Sequence, residues 1–151
     1  MKKTVHSLRL VREYSAELDQ GMQTKPFARS PRDVFTLMEP LARMETTEVF
    51  WVLHLDAQHR VMHGGAQAVT KGIANSSLVH PREVFRGAIL AGAVAIILCH
   101  NHPSGDVTPS ADDRLVTEQL VGAGRLLDIP VHDHVIIGDG RYVSFAEAGL
   151  L

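Results

Sequence analysis

The residues EVFWVLHLD, Glu48 to Asp56, are apolar on both faces that an extended chain presents. Val49, Trp51, Leu53 and Leu55 alternate with Glu48, Phe50, Val52 and His54. A strand apolar on both sides must be covered on both sides, which demands a central place in a sheet with a layer packed against each face. The continuous apolar run VAIILC, residues 94–99, makes the same demand. HRVMHGGAQAV, residues 59–69, reads as the partner strand of the first run, with Asp56 to Arg60 forming the turn between them.

The layers are supplied by helical patterns. Ser30-Pro31 gives an N-cap and a proline at the first helical position. PRDVFTLMEPLARM then stacks Val34, Leu37, Met38 and Leu41, although Pro40 is expected to kink or end this helix. PREVFRGAILAGA starts on Pro81 and stacks Val84, Phe85, Ala88 and Ile89. A third helix, ADDRLVTEQLVGAGRLL, opens at Ser110 with Val116, Leu120, Ala123 and Leu127 on one face. Gly122 and Gly124 each weaken it by roughly 1 kcal/mol against alanine, so its last turn is expected to be close-packed or frayed. Asp128-Ile129-Pro130 ends it, and HDHVIIGDGRYVSF reads as a strand, a Gly-Asp-Gly turn and a return strand. At the N-terminus HSLRLVREY is expected as a strand and residues 15–30 as a loop. The expected fold is α/β, a mixed β-sheet flanked by helices, with an extension over residues 1–30 and one compact domain over 31–151.

A chain of 151 residues, 45% hydrophobic and 21% charged, has ordinary globular composition. Its longest apolar stretch, AILAGAVAIILC, is shorter than the roughly 18 residues of a spanning helix and contains glycine. The first residues, MKKTVHSLRLVREY, carry no apolar signal core, so a cytoplasmic location is expected and no membrane partner. The lone Cys99 excludes an internal disulfide and a cysteine-rich zinc module, and fits a reducing compartment. The formal net charge is −2, whereas a domain that grips a duplex through its phosphates is usually basic. Lys2, Lys3, Arg9 and Arg12 form a local basic patch, but the balance does not favour DNA as a partner.

The chemistry is concentrated in CHNHPSGDVTPSADD, Cys99 to Asp113. His100 and His102 are two apart, so in extended backbone both imidazoles leave the same side and can meet one cation. They follow a buried strand, which gives them rigid support. Pro103, Gly105 and Pro109 shape the return to a helix whose first turn offers Asp112 and Asp113. Two histidines, one of these carboxylates and a water make the open tetrahedral set of catalytic zinc. Glu48, at the start of the central strand, is a candidate proton carrier beside the metal. Ser110 and Asp113 also fit a plain capping box.

Other residues invite the same question. His132 and His134 are likewise two apart, but no following turn supplies a carboxylate, and they read as packed or hydrogen-bonded histidines. His54 reads as a satisfied core histidine and Cys99 as a small core residue.

HNHPSGDVTPSADD resembles the JAMM metal motif of MPN-domain proteins: a distant Glu, H-x-H-P, six residues, Ser, two residues, Asp. The wording around it, with VHPREVFRGAI before and DHVIIG and YVS after, resembles the RadC family, and the similarity runs from about Pro31 to the C-terminus. The resemblance implies that His100, His102 and Asp113 hold one Zn2+ per chain. It implies Glu48 as general acid–base and Ser110 as the hydroxyl that steadies an oxyanion, and it gives Asp112 no place among the ligands. Asp133 and His134 match the family's DH pair. The implied fold is the MPN sandwich, related in architecture to cytidine deaminases. Longer RadC proteins carry an N-terminal helix-hairpin-helix region without counterpart in these residues, so the likeness is to the short form often found beside prophages and mobile elements.

The function expected on these grounds is that of a JAMM-type zinc hydrolase, cleaving a peptide or isopeptide bond in a protein or peptide substrate. The alternative is a DNA-associated, metal-dependent protein of RadC type. The third is a non-catalytic binding module with a structural zinc, a role in which MPN domains usually lose a ligand or the Glu.

Overall fold

The computed structural model describes residues 25–72 and 78–151, and of residues 63–65 the backbone alone. Among the described residues five strands form one mixed sheet: β1 (Val49–Leu55), β2 (Val61–Lys71), β3 (Ala95–Asn101), β4 (Val131–Gly138) and β5 (Arg141–Ser144). Their spatial order is β2-β1-β3-β4-β5. All pairs are antiparallel except β3 with β4, which run parallel. The described helices that cover the sheet are α1 (Pro31–Met44), α2 (Pro81–Ala91) and α3 (Ala111–Leu127).

The doubly apolar strands sit where their composition requires. Every residue of β1 and of β3 is buried, and the two are neighbours at the middle of the sheet. Trp51, Leu53, Ile97 and Cys99 face Val34, Met38 and Ala42 of α1. Phe50, Val52, Ile96 and Leu98 face α2 and α3 through Val84, Phe85, Ala88, Val116 and Leu120. The α/β fold expected from the sequence, a mixed sheet between helices, is the one observed.

Several local expectations need correction. Helix α1 does not end at Pro40 but continues for four more residues. Pro40 and Thr36 lie on its exposed side, where water can solvate the carbonyl that proline leaves without an N–H, while Val34, Met38 and Ala42 keep the opposite side packed. The buried stripes are also narrower than the sequence suggests, since Leu41, Ile89 and Leu127 are exposed. In α3 the buried positions are Asp113, Val116, Thr117, Leu120 and Gly124. The end of this helix is close-packed, not frayed. A Cβ at Gly124 would stand 2.5 Å from the carbonyl oxygen of Ile129 and 3.3 Å from Phe85 Cζ.

The strand expected at residues 6–14 lies outside the described residues, as does the loop before residue 25. Within the remainder of that loop Phe27 bridges Arg60, and the Ala28 N–H donates to the His59 carbonyl at 2.9 Å. The hairpin between β4 and β5 turns on Asp139 and Gly140, both at positive φ (48° and 72°), the two-residue turn that matches strand twist.

Candidate metal centre

Strand β3 delivers His100 on the face of the sheet that carries α3. The chain pairs for one residue beyond the strand, the His102 N–H donating to the Ile137 carbonyl at 2.8 Å, so His102 follows on the same side. Gly105, at φ 86°, then folds the chain back, its N–H donating to the His102 carbonyl at 2.9 Å. This loop rests on Gly138, where a Cβ would lie 3.1 Å from the carbonyl oxygens of both His102 and Gly105. Ser110 ends the loop and caps α3. Its Oγ accepts the Asp113 N–H at 3.0 Å, while its own N–H donates to Asp113 Oδ2 at 2.9 Å. The capping box aims the Asp113 carboxylate back at the two histidines.

His100, His102 and Asp113 consequently form a group able to hold a metal ion, with one donor atom from each all within 4.8 Å of one another. The two Nε2 atoms are 2.9 Å apart; Asp113 Oδ1 stands 3.2 Å from His100 Nε2 and Oδ2 stands 3.2 Å from His102 Nε2. Tetrahedral zinc, with bonds of about 2.0–2.2 Å, separates its ligands by about 3.3–3.6 Å, a few tenths of an ångström wider than this spacing. The donor chemistry fits as well. His102 Nδ1 donates to the Asp106 carbonyl at 2.6 Å, which leaves its Nε2 lone pair directed into the group. Asp112, which the spacing alone left as an alternative to Asp113, is exposed and outside the group.

Burial of the His102 ring disfavours its charged form, but the Asp113 carboxylate, the Asp106 carbonyl and the charge of Glu48 outweigh this and raise its pKa. The negative environment is the same one that a bound cation would exploit. His102 is also the member of the group that reaches solvent, 11% of its side chain being exposed against 2–3% for the other two.

Glu48 immediately precedes β1 and is half-buried. The antiparallel register places Phe50 opposite His100, so Glu48, two residues earlier on the same face, comes beside His102. The adjacency that the sequence could only suggest is present. Phe50 stacks on His100 with ring centroids 5.8 Å apart, an apolar wall behind the histidine. Ser110, Glu48 and the His-His-Asp group are thus brought together at one end of β1, β3 and α3.

Three participants gain their roles only from the structure. Asn101, between the histidines, is buried and turned to β1: it accepts the Val49 N–H at 2.7 Å and donates to the Thr47 carbonyl at 3.0 Å. His134 is fully buried and lies 2.8 Å, Nε2 to Nδ1, from His100. Thr117 meets His134 Nδ1 at 2.6 Å from the far side. Burial first, and the neighbouring His100 second, hold the His134 pKa well below its usual value. His134 is thus the packed, hydrogen-bonded histidine that was expected, whereas His132, read the same way, is exposed. Ile96 pairs with Val131 and Ile97 with Asp133, so His132 is the extra residue of a bulge, its ring beside that of His59. Only the family's DH wording points at residue 134.

Asp133 has a structural task. It accepts the His134 N–H at 2.7 Å, the Ala146 N–H at 3.0 Å and the Ser144 hydroxyl at 2.6 Å, and so ties β4 to β5 and the C-terminal turn. Cys99 is a core residue on the opposite face, and burial pushes its thiol pKa up, away from reactivity.

A mixed sheet between helices, with a His-His-Asp group at the exit of its central strand and a glutamate on the neighbouring strand, defines a JAB/MPN-type domain. The family model described as RadC-like JAB domain matches residues 28–150, and the chain belongs to that family. It is 48% identical over 122 residues to a UPF0758 protein of Methanosarcina mazei, covering 81% of this chain and 52% of that protein. A UPF0758 protein of Symbiobacterium thermophilum is also 48% identical over 122 residues, covering 81% and 51%. One from Desulfitobacterium hafniense is 42% identical over 163 aligned positions, covering 98% and 71%. The chain spans about half the length of the first two of these curated relatives. Among the described residues no helix is long and apolar enough to cross a membrane.

Proposed function

We propose that this domain is a JAMM-type zinc hydrolase that cleaves peptide or isopeptide bonds in a protein or peptide substrate. The observation that carries the reading is the convergence of two imidazole Nε2 atoms and a buried carboxylate, 2.9–3.2 Å apart, beside a half-buried glutamate. Two histidines and one carboxylate with a fourth position left open suit catalytic zinc. Bound there, zinc would lower the pKa of a water to about 7 and polarise the scissile carbonyl.

The remaining steps belong to the chain. Glu48 accepts the proton of the attacking water and returns it to the leaving amine nitrogen. Ser110 accepts a backbone N–H at the cap and keeps its hydroxyl proton to donate to the oxyanion. Phe50 and the buried helix start keep bulk water from the inner side of the site, where His100 and Asp113 are almost inaccessible.

Elemental analysis after exhaustive dialysis tests the reading. About one zinc per chain in the wild type, lost in His100→Ala and in Asp113→Ala, is the expected result. A screen of peptide and isopeptide substrates follows, with Glu48→Gln as the metal-loaded inactive control. A wild type that is folded and takes up no zinc on titration would overturn the proposal. Zinc in both proteins with every function unchanged by Glu48→Gln would favour a structural-zinc binding module. Binding to DNA that falls steeply with salt would favour the DNA-associated reading instead.

A further inference from the structure

The His-His-Asp group has a second layer whose hydrogen atoms can be placed by elimination. The Thr117 hydroxyl lies 2.6 Å from the carbonyl oxygen of Asp113 and 2.6 Å from His134 Nδ1. A carbonyl only accepts, and a hydroxyl has one proton, so Thr117 donates to Asp113 O and accepts from His134 Nδ1–H. His134 is fully buried, so a second ring proton, and with it a charge, is strongly disfavoured. Its Nε2 is therefore bare, and the 2.8 Å contact with His100 is a bond donated by His100 Nδ1–H.

We infer that His134 and Thr117 are positioning residues that lock His100 in the Nδ1–H tautomer and so present its Nε2 lone pair to the metal. The inference rests on the metal-binding reading above and deepens it. The relay closes on itself, because it starts from the carbonyl of Asp113, whose side chain is another member of the group. One threonine hydroxyl thereby sets, through His134, both the rotation and the proton of the His100 ring. His102 reaches the same tautomer by a different route, through the Asp106 carbonyl. A histidine ligand fixed by a neutral histidine also leaves the group with a single carboxylate, and the net charge of the group with a bound dication stays positive. An outer partner of this kind typically contributes roughly 10- to 100-fold in metal affinity.

The test has two arms. Imidazole nitrogen shifts of isotope-labelled, metal-free wild type should report Nδ1–H and bare Nε2 for both His100 and His134. Thr117→Val keeps the side-chain shape and removes the hydroxyl; it should bind zinc roughly 10- to 100-fold more weakly in chelator competition. Thr117→Ser restores the hydroxyl and should bind as the wild type does. A protonated Nε2 on His100 in the wild type overturns the inference, as does equal zinc affinity in wild type and Thr117→Val, or a Thr117→Ser as weak as Thr117→Val. A wild type that takes up no zinc sinks the hydrolase reading instead, and the nitrogen shifts still decide the tautomer. They decide it equally if Thr117→Val does not fold.

Discussion

The side chain of Asn101 accepts the Val49 N–H at 2.7 Å and, with its amide, donates to the Thr47 carbonyl at 3.0 Å. The two bonds straddle Glu48. A residue of the histidine motif thus clamps the backbone on either side of the proposed proton carrier, at the point where the ladder between β1 and β3 ends. The motif holds the metal-site side chains with its two histidines and the glutamate with the asparagine between them.

Asn101→Ala would leave the Val49 N–H buried without its acceptor, a loss of about 1–3 kcal/mol. Urea unfolding should register that loss, while zinc content stays at the wild-type level because neither histidine has been touched. Hydrolysis of any substrate found for the wild type should fall, since Glu48 loses its fixed position. An Asn101→Ala protein with undiminished stability would refute the clamp.

Ser110 has two tasks that separate by substitution. As an N-cap it is replaceable by glycine at a cost of only a few tenths of a kcal/mol, whereas alanine costs about 1 kcal/mol. As an oxyanion donor it is replaceable by neither, and losing one such donor lowers kcat by about 100- to 1000-fold. Ser110→Gly should therefore melt near the wild type and yet be nearly inactive on a cleaved substrate. Full activity in Ser110→Gly would reduce the serine to its cap.

How legible these features are in the sequence depends on the range of the interaction involved. His100 and His102 share a side because strand geometry puts them there, and spacing alone conveys it. Asp113 is singled out from Asp112 only by family spacing, and the reason is a helical one: it is the third residue of α3, where the cap turns its carboxylate inward. Glu48 needs the β1–β3 register, which the doubly apolar strands make plausible but cannot fix. His134 is marked only by the family's DH wording, which carries no role. Its place depends on a parallel pairing between β3 and β4 and on the bulge at His132, and neither leaves a periodic trace. The helix faces differ from the expected ones by about one position for the same reason. Which apolar side chain is covered depends on what lies opposite, as Leu127 and Gly124 illustrate.

His132 offers a test of charge at the other end of the sheet. Burial, and then the adjacent His59, hold its pKa below the usual 6.5. A histidine that titrates lower in the folded protein than in the unfolded chain stabilises the fold fully above pH 6.5, and this contribution is lost as pH falls from 6.5 through the folded value. The stability difference between wild type and His132→Gln should therefore change in that window and be flat above it. In His59→Gln the like charge is gone while burial remains, so the His132 midpoint should move upward in a proton NMR titration. An unmoved midpoint would dissociate the two rings.

Gly122 and Gly124 stand two residues apart in α3 and should respond to the same substitution with opposite signs. Both carry the propensity penalty of a helical glycine, about 1 kcal/mol against alanine. Gly122 is exposed, and an added methyl there would meet nothing within 4 Å, so only that gain is in play. Gly122→Ala should therefore raise the melting temperature. At Gly124 the same methyl would stand 2.5 Å from the Ile129 carbonyl oxygen, a backbone atom of a residue whose own N–H is bonded to Gly124 O at 2.9 Å. The helix end must shift, and overpacking of this sort costs about 1–3 kcal/mol, more than the propensity returns. Gly124→Ala should lower the melting temperature, and because α3 carries Asp113 and Thr117 at its other end, zinc affinity should change little if the disturbance stays local. Equal shifts in the two variants would mean that the close approach of Ile129 to α3 is absent in solution.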